Sequence, residues 1–222
     1  MIILKEIFAG YGKYNILKNI NLEFYDGDIV TIVGKSGSGK TTLLKVLNGL
    51  LKPSKGKYLF DNIDVYDLSS DEVKLNITQK IGFVWQDYRL IPDITVMNNI
   101  ILPSLIYNKK VDNKYLDELL EFLGITKYKS SYVSELSGGE QQRVALARAM
   151  VLKPSVIIAD EPTGALDSKT SKQLIDLLIK INAKFNTLCI IATHDDELSR
   201  IGNKRIEILD GEVINYEELE DN

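Results

Sequence analysis

The 222-residue sequence holds one cysteine, one histidine, one tryptophan and five prolines. The single Cys189 excludes an internal disulfide; set in the apolar run Leu188 to Ala192, it reads as a core thiol of a chain expected in a reducing compartment. The opening MIILKEIFAGYGKY lacks the basic start, apolar stretch and small-residue cleavage site of a secretory signal, which points to the cytoplasm. No stretch approaches the ~18 apolar residues that suggest a membrane span, and Ile100 to Tyr107 is interrupted by Pro103 and Ser104. Any membrane role therefore requires a partner chain. A basic excess is also missing: 27 Lys+Arg against 31 Asp+Glu leave a net charge of -4, which argues against nucleic acid as a partner. No internal repeat or low-complexity segment is found.

Apolar residues at 45% and charged residues at 26% are those of an ordinary globular chain of one domain. Short Val- and Ile-rich runs alternate with longer helical patterns, the mark of an α/β domain with a mainly parallel, buried sheet. The pattern predicts strands at Asp28 to Val33, Tyr58 to Phe60, Ile81 to Trp85, Ser155 to Ala159 and Leu188 to Ala192, and a terminal hairpin from Arg205 to Leu209 and Glu212 to Tyr216 turning at Asp210-Gly211. Helices are expected at Lys40 to Leu50, Val96 to Asn108, Asn113 to Phe122, Gly139 to Leu152 and Ser168 to Asn182. The whole chain is read as a single domain, with 1–86 and 154–222 forming the core and 87–153 a helical insertion.

Two segments carry the chemistry. GKSGSGKT, comprising Gly34, Lys35, Ser36, Gly37, Ser38, Gly39, Lys40 and Thr41, matches G-x-x-x-x-G-K-[ST] between a strand and a helix, with Thr42 following. Glycines let the backbone wrap phosphates, and N–H groups at the helix start face the anion. Lys40 reaches the β- and γ-phosphates, and the Thr41 hydroxyl is suited to Mg²⁺. SVIIADEP, Ser155 to Pro162, is an apolar strand ending in two carboxylates: Asp160 for the metal or its waters, and Glu161 as general base toward an attacking water.

LSGGEQQRVALARA, Leu136 to Ala149, strongly resembles the signature of ABC ATPases. Physically, Ser137 with Glu140 is a capping box, and Ser137, Gly138 and Gly139 present N–H groups at a helix N-terminus. Further motifs follow in the family's order. Tyr11, with Tyr14 nearby, resembles the aromatic residue that stacks on adenine; Gln86 resembles the glutamine that senses Mg²⁺ and the attacking water. Ala165-Leu166-Asp167 resembles the loop through which paired subunits communicate, and His194 in IIATHD resembles the switch histidine at the γ-phosphate. Val133, where many relatives have proline, and Trp85 before Gln86 depart from the pattern.

The resemblance implies a P-loop NTPase of the ABC ATPase fold, with a mainly parallel sheet core, an antiparallel β part and an inserted helical subdomain. It further implies ATP and Mg²⁺ as ligands and a second copy of the chain as partner, ATP being sandwiched between one subunit's P-loop and the other's signature. An integral membrane permease subunit would complete the machine. GEQQRVALARA, DEPTGALDS and ATHDDELSR look most similar to ATPases of lipoprotein release, macrolide and antimicrobial-peptide export, and the cell-division ABC complex. The expected activity is ATP hydrolysis powering transport, with nucleotide-gated signalling through a membrane partner as the alternative. Chromosome-organising relatives would need long coiled coils, and translation factors a second cassette; the sequence has neither. Asp87 to Asn99, with Tyr88, Leu90, Ile91 and Ile94, is expected to dock the membrane partner.

Overall fold

A computed structural model describes residues 1–67, 75 and 77–219. Its centre is a six-stranded sheet. β3 (Ile29–Val33), β7 (Val156–Asp160) and β8 (Leu188–Ala192) are five-residue apolar strands buried along their whole length, as parallel strands covered on both faces must be. The order is β10-β9-β3-β8-β7-β6, with β6 at Ile81–Val84, β9 at Lys204–Leu209 and β10 at Glu212–Glu218. All neighbours are parallel except the β9–β10 hairpin.

Successive residues of these strands feed two separate cores, because side chains alternate across a sheet. Val156, Ile158, Leu188 and Ile190 pack with Leu43, Leu44 and Leu47 of helix α1 (Lys40–Leu47) and with the N-terminal strands. Ile157, Ala159, Cys189 and Ile191 pack on the opposite face. There they meet side chains of α2 (Val96–Ile106), α3 (Asn113–Phe122), α4 (Gly138–Met150) and α5 (Ser168–Phe185). Burial pushes the Cys189 thiol up to about 12, so it behaves as an inert core group. Among the described residues no helix is long and apolar enough to cross a membrane.

The predicted elements recur within a few residues of their expected ends, but the N-terminal strands are additions. β1 (Ile2–Tyr11) and β2 (Tyr14–Phe24) pair antiparallel and, with β4 (Lys55–Phe60) and β5 (Ile63–Asp64), form a second sheet in the order β2-β1-β4-β5. Their signal is scrambled because the register shifts repeatedly along β1, with Glu6 at φ 50, so burial falls out of step with strict alternation. Opposite the bulge, a Cβ on Gly56 would stand 2.3 Å from the Glu6 carbonyl, so only glycine lets β4 approach.

Between β2 and β3, at the sheet end away from the P-loop, the buried Asp28 accepts from Lys204 Nζ at 2.6 Å, from Asn203 Nδ2 at 2.8 Å and from the Tyr25 N–H at 3.1 Å. The Lys204 ammonium also lies 4.5 Å from the Tyr25 ring centroid. Burial would depress the Lys204 pKa, yet the hydrogen bond and charge of Asp28 outweigh it and the net shift is upward. Stabilisation from a raised lysine pKa is fully present below the unfolded value of about 10.4 and is lost as pH rises through the folded one. Lys204→Met strands the Asp28 carboxylate and is expected to destabilise the chain by about 2 kcal/mol or more in urea titration at pH 7. The difference from the unsubstituted chain should shrink only above pH ~10.4.

Candidate nucleotide site

Four strands deliver the site to one edge of the sheet. β3, β6, β7 and β8 run parallel and end at Val33, Val84, Asp160 and Ala192, so Gly34, Gln86, Glu161 and His194 all emerge at the carboxyl edge, where open α/β sheets bind ligands. Gly34 has φ 154, and a Cβ there would lie 2.3 Å from the Ile208 carbonyl and 2.7 Å from Ser38 Oγ. Gly39, left-handed at φ 112, opens α1. The first N–H groups of α1 have no partner within the helix and face the loop. Gly34 to Thr42, Gln86, Glu161 and His194 line one cleft of about 630 Å³. Ile16 of β2 lines it too, and nothing in its sequence context marks it.

Within the cleft Lys40 Nζ donates to the Gly34 carbonyl at 2.7 Å and stands 3.8 Å from Glu161 Oε1. The other Glu161 oxygen accepts from the His194 backbone N–H at 3.1 Å and lies 2.8 Å from His194 Nδ1. Thr41 Oγ1 donates to Asp160 Oδ1 at 3.3 Å. Burial pushes the Asp160 carboxyl above the usual aspartate value; the Thr41 hydrogen bond opposes this, and the adjacent Glu161 charge adds to it. Such a carboxylate is relieved by a cation. Ser38 Oγ is buried with no hydrogen-bond partner among the described residues. An orphaned hydroxyl, bared helix N–H groups and a lysine make a donor set that fits phosphates, and Thr41 beside Asp160 fits the one or two protein ligands that Mg²⁺ takes beside them.

Tyr11 does not line this cleft. It is 48% exposed at the end of β1, where its hydroxyl accepts from Lys45 Nζ at 3.1 Å; Tyr14, 82% exposed, stands further out in solvent.

The signature residues lie elsewhere. Ser137, Gly138, Gly139, Glu140 and Asp167 line a second cleft of about 450 Å³ together with Lys127, Tyr128 and Arg143, and no residue lines both clefts. Ser137 N–H and Oγ both donate to Glu140 Oε2, at 2.9 and 2.7 Å, while Tyr128 donates its hydroxyl to the other carboxylate oxygen. The hydrogen bonds from Tyr128 and Ser137 hold the Glu140 carboxyl below the usual range. Tyr128 lies outside the motif, and only folding brings it to Glu140. Asp167 caps α5, accepting from the N–H groups of Lys169 and Thr170, each at 3.0 Å.

The segment after Gln86 is partly buried, with Ile91 42% exposed at its surface. Leu90 packs against the helical core, and Tyr88 turns toward the signature, its hydroxyl 3.4 Å from where a Gly138 Cβ would stand. Asn99, fully buried, staples the segment by bonding both the N–H and the carbonyl of Ile91. An open groove of about 460 Å³ is lined by Trp85, Arg89, Leu102, Pro103, Ile106 and Tyr107. Arg89 sits 3.7 Å over the Trp85 ring, which stacks on Phe83.

Comparison with known proteins places this geometry. The family described as ABC transporter matches residues 17–164. The chain is 38% identical over 216 residues to the lipoprotein-releasing system ATP-binding protein LolD of Bacteroides fragilis, covering 96% of this chain and 100% of that protein. It is 41% identical over 216 residues to the macrolide export ATP-binding/permease protein MacB of Campylobacter jejuni, covering 96% of this chain but only 34% of that protein. The dimeric structure of the ABC transporter cassette MJ0796, from Methanocaldococcus jannaschii, superposes with a TM-score of 0.89 at 39% identity, covering 100% of both chains. A second MJ0796 dimer, in a post-hydrolysis state bound to ADP and Pi, gives 0.88 at 37% identity over the same coverage. The chain belongs to the ABC transporter ATP-binding family.

Proposed function

We propose that this chain is the ATP-hydrolysing subunit of a membrane ABC transporter of the lipoprotein-release, peptide- or drug-export kind, acting as a pair of identical copies. The observation that carries the reading is that the P-loop and signature residues line two separate clefts with no residue in common; a second copy placed head to tail would bring one cleft of each kind together. Two equivalent sites result. In each, one chain supplies Gly34 to Thr42, Gln86, Asp160, Glu161 and His194, and the other supplies Ser137 to Glu140, with Asp167 at the seam.

Lys40 and the loop N–H groups hold the β- and γ-phosphates, and Ser137 with the amides after it faces the γ-phosphate from across the pair. Thr41 and Asp160, with Gln86 at the same cleft, would hold a Mg²⁺, which would supply charge neutralisation to the phosphates. Glu161 accepts the proton of the attacking water as the bond from the γ-phosphorus to the bridging oxygen breaks, leaving ADP and phosphate. His194, bonded to Glu161, orients that carboxylate toward the γ-phosphate. Tyr11, exposed at the end of β1 beside Lys45, serves as the face for the adenine ring.

Residues 87–153 act as the helical unit that joins the site to a permease, and the groove at Trp85, Arg89 and Ile106 is its docking face. The chain then sits at the cytoplasmic side of the membrane, held there by the partner. Leu105 and Ile106, 67% and 68% exposed on α2, are the apolar groups that such docking would cover.

Glu161→Gln is expected to lower turnover at least about a hundredfold while ATP binding persists and an ATP-bound dimer accumulates on size exclusion. Unchanged turnover would remove Glu161 from the role of base. Lys40→Ala and Ser137→Arg, each inactive alone, should regain partial activity when mixed, since one site of the mixed pair carries both lesions and the other none. A mixed pair that demonstrably forms but stays inactive would refute the shared site. Ile106→Asp should leave basal turnover and Tm unchanged while abolishing co-purification with the permease; retained co-purification places docking elsewhere.

A further inference from the structure

We infer that Gln142 is a positioning residue for the hydrolytic base of its own chain, linking the helix that reads the partner's nucleotide to the turn that carries Glu161. The inference rests on the roles proposed above for Glu161 and for the shared site. Gln142 lines neither cleft and is 1% exposed in the first half of α4. Its Nε2 donates to the Pro162 carbonyl at 2.9 Å, and its Oε1 is buried with no partner among the described residues.

A buried amide with one end unpaired is a poor choice for stability, because an apolar side chain of similar length would pack without desolvating a carbonyl. What the amide adds is one directed hydrogen bond, and it lands on the residue following Glu161. That residue is a buried proline, with fixed φ and no N–H to donate, so its carbonyl is the backbone handle available there.

Glu161 itself sits at φ 47, a left-handed conformation that a non-glycine residue keeps only when its surroundings hold it. Its N–H donates to the Ala192 carbonyl of β8 at 2.9 Å, and its carbonyl accepts from the Gly164 N–H at 3.1 Å. Both restraints belong to the sheet edge and the turn. The Gln142 bond is the one arriving from α4, whose N-terminus is Ser137. A displacement of α4 as Ser137 meets the partner's nucleotide would therefore pull on the Pro162 carbonyl and re-aim the base.

The test uses Gln142→Met, which keeps length and volume and removes the donor. Turnover at saturating ATP should fall about ten- to a hundredfold with KM for ATP within about twofold, the split expected when a reacting group is misplaced rather than lost. A KM rise at constant kcat, or a lower Tm with normal kcat, would overturn the proposal. Mixed pairs then locate the lesion. If Gln142 acts on Glu161 of its own chain, Gln142→Met mixed with Ser137→Arg leaves one intact site and activity recovers, whereas mixed with Lys40→Ala it damages both sites. The reverse pattern would show action through the signature tip, and recovery in neither mixture would also refute the assignment. Lys40→Ala mixed with Ser137→Arg is the control; if it fails, the shared site is wrong, and the kcat-against-KM split alone judges Gln142. Should Gln142→Met not fold, Gln142→Asn, with its amide one methylene shorter, passes through the same measurements under the same criteria.

Discussion

Parallel pairing of four short buried strands is the constraint on which this molecule depends. β3, β8, β7 and β6 are hydrogen-bonded in fixed register, Thr31 beside Ile191, Ile158 beside Ile190 and Val84 beside Ala159. Because both faces are buried, a slip of one residue would exchange the two cores, sending Ile157 and Ile191 toward α1 and Ile158 and Ile190 toward the helices. The register that packs both cores also fixes where each strand ends. The P-loop, Gln86, Glu161 and His194 are therefore positioned by hydrophobic packing that none of them contributes to.

At that edge polar groups are held in arrangements that cost stability. Asp160 is desolvated beside Glu161, Ser38 Oγ lacks a partner, and Glu161 occupies a left-handed backbone conformation. Elsewhere buried charge is satisfied: Asp28 accepts from Lys204, Asn203 and the Tyr25 amide. The contrast separates a structural polar network from one that awaits phosphates and a cation. Both lie on the same sheet, at opposite ends of its strands.

The signature region obeys a different logic. Its cleft holds Ser137, Glu140 and Tyr128 in a closed set of hydrogen bonds, organised before any partner arrives. Since α4 packs under the sheet through Val144, Leu146 and Ala147, the signature tip and the core can move only together or by shear along that contact. The Gln142 bond to Pro162 crosses the same contact.

Much of this could be read from the residues in order. The phosphate loop, the Asp160-Glu161 pair and the capping box at Ser137 are contiguous motifs whose backbone requirements are local, so sequence alone determined them, along with the alternation that makes an α/β domain. The bulged strands β1 and β2 escaped because their periodicity is broken, and their place is set by pairing with β4 rather than by pattern. Tyr88 and Leu90 have the composition of a docking surface; what sequence could not give is that Tyr88 faces Gly138, that the partly buried Leu90 packs against the helical core, and that Arg89, Leu102 and Ile106 line the neighbouring groove. Tyr128 reaching Glu140, Ile16 lining the P-loop cleft and Gln142 bonding the Pro162 carbonyl are contacts between distant segments. Only tertiary structure decides such contacts, because a side chain's partner a dozen residues or more away is fixed by how the two cores pack and not by the residues that flank it.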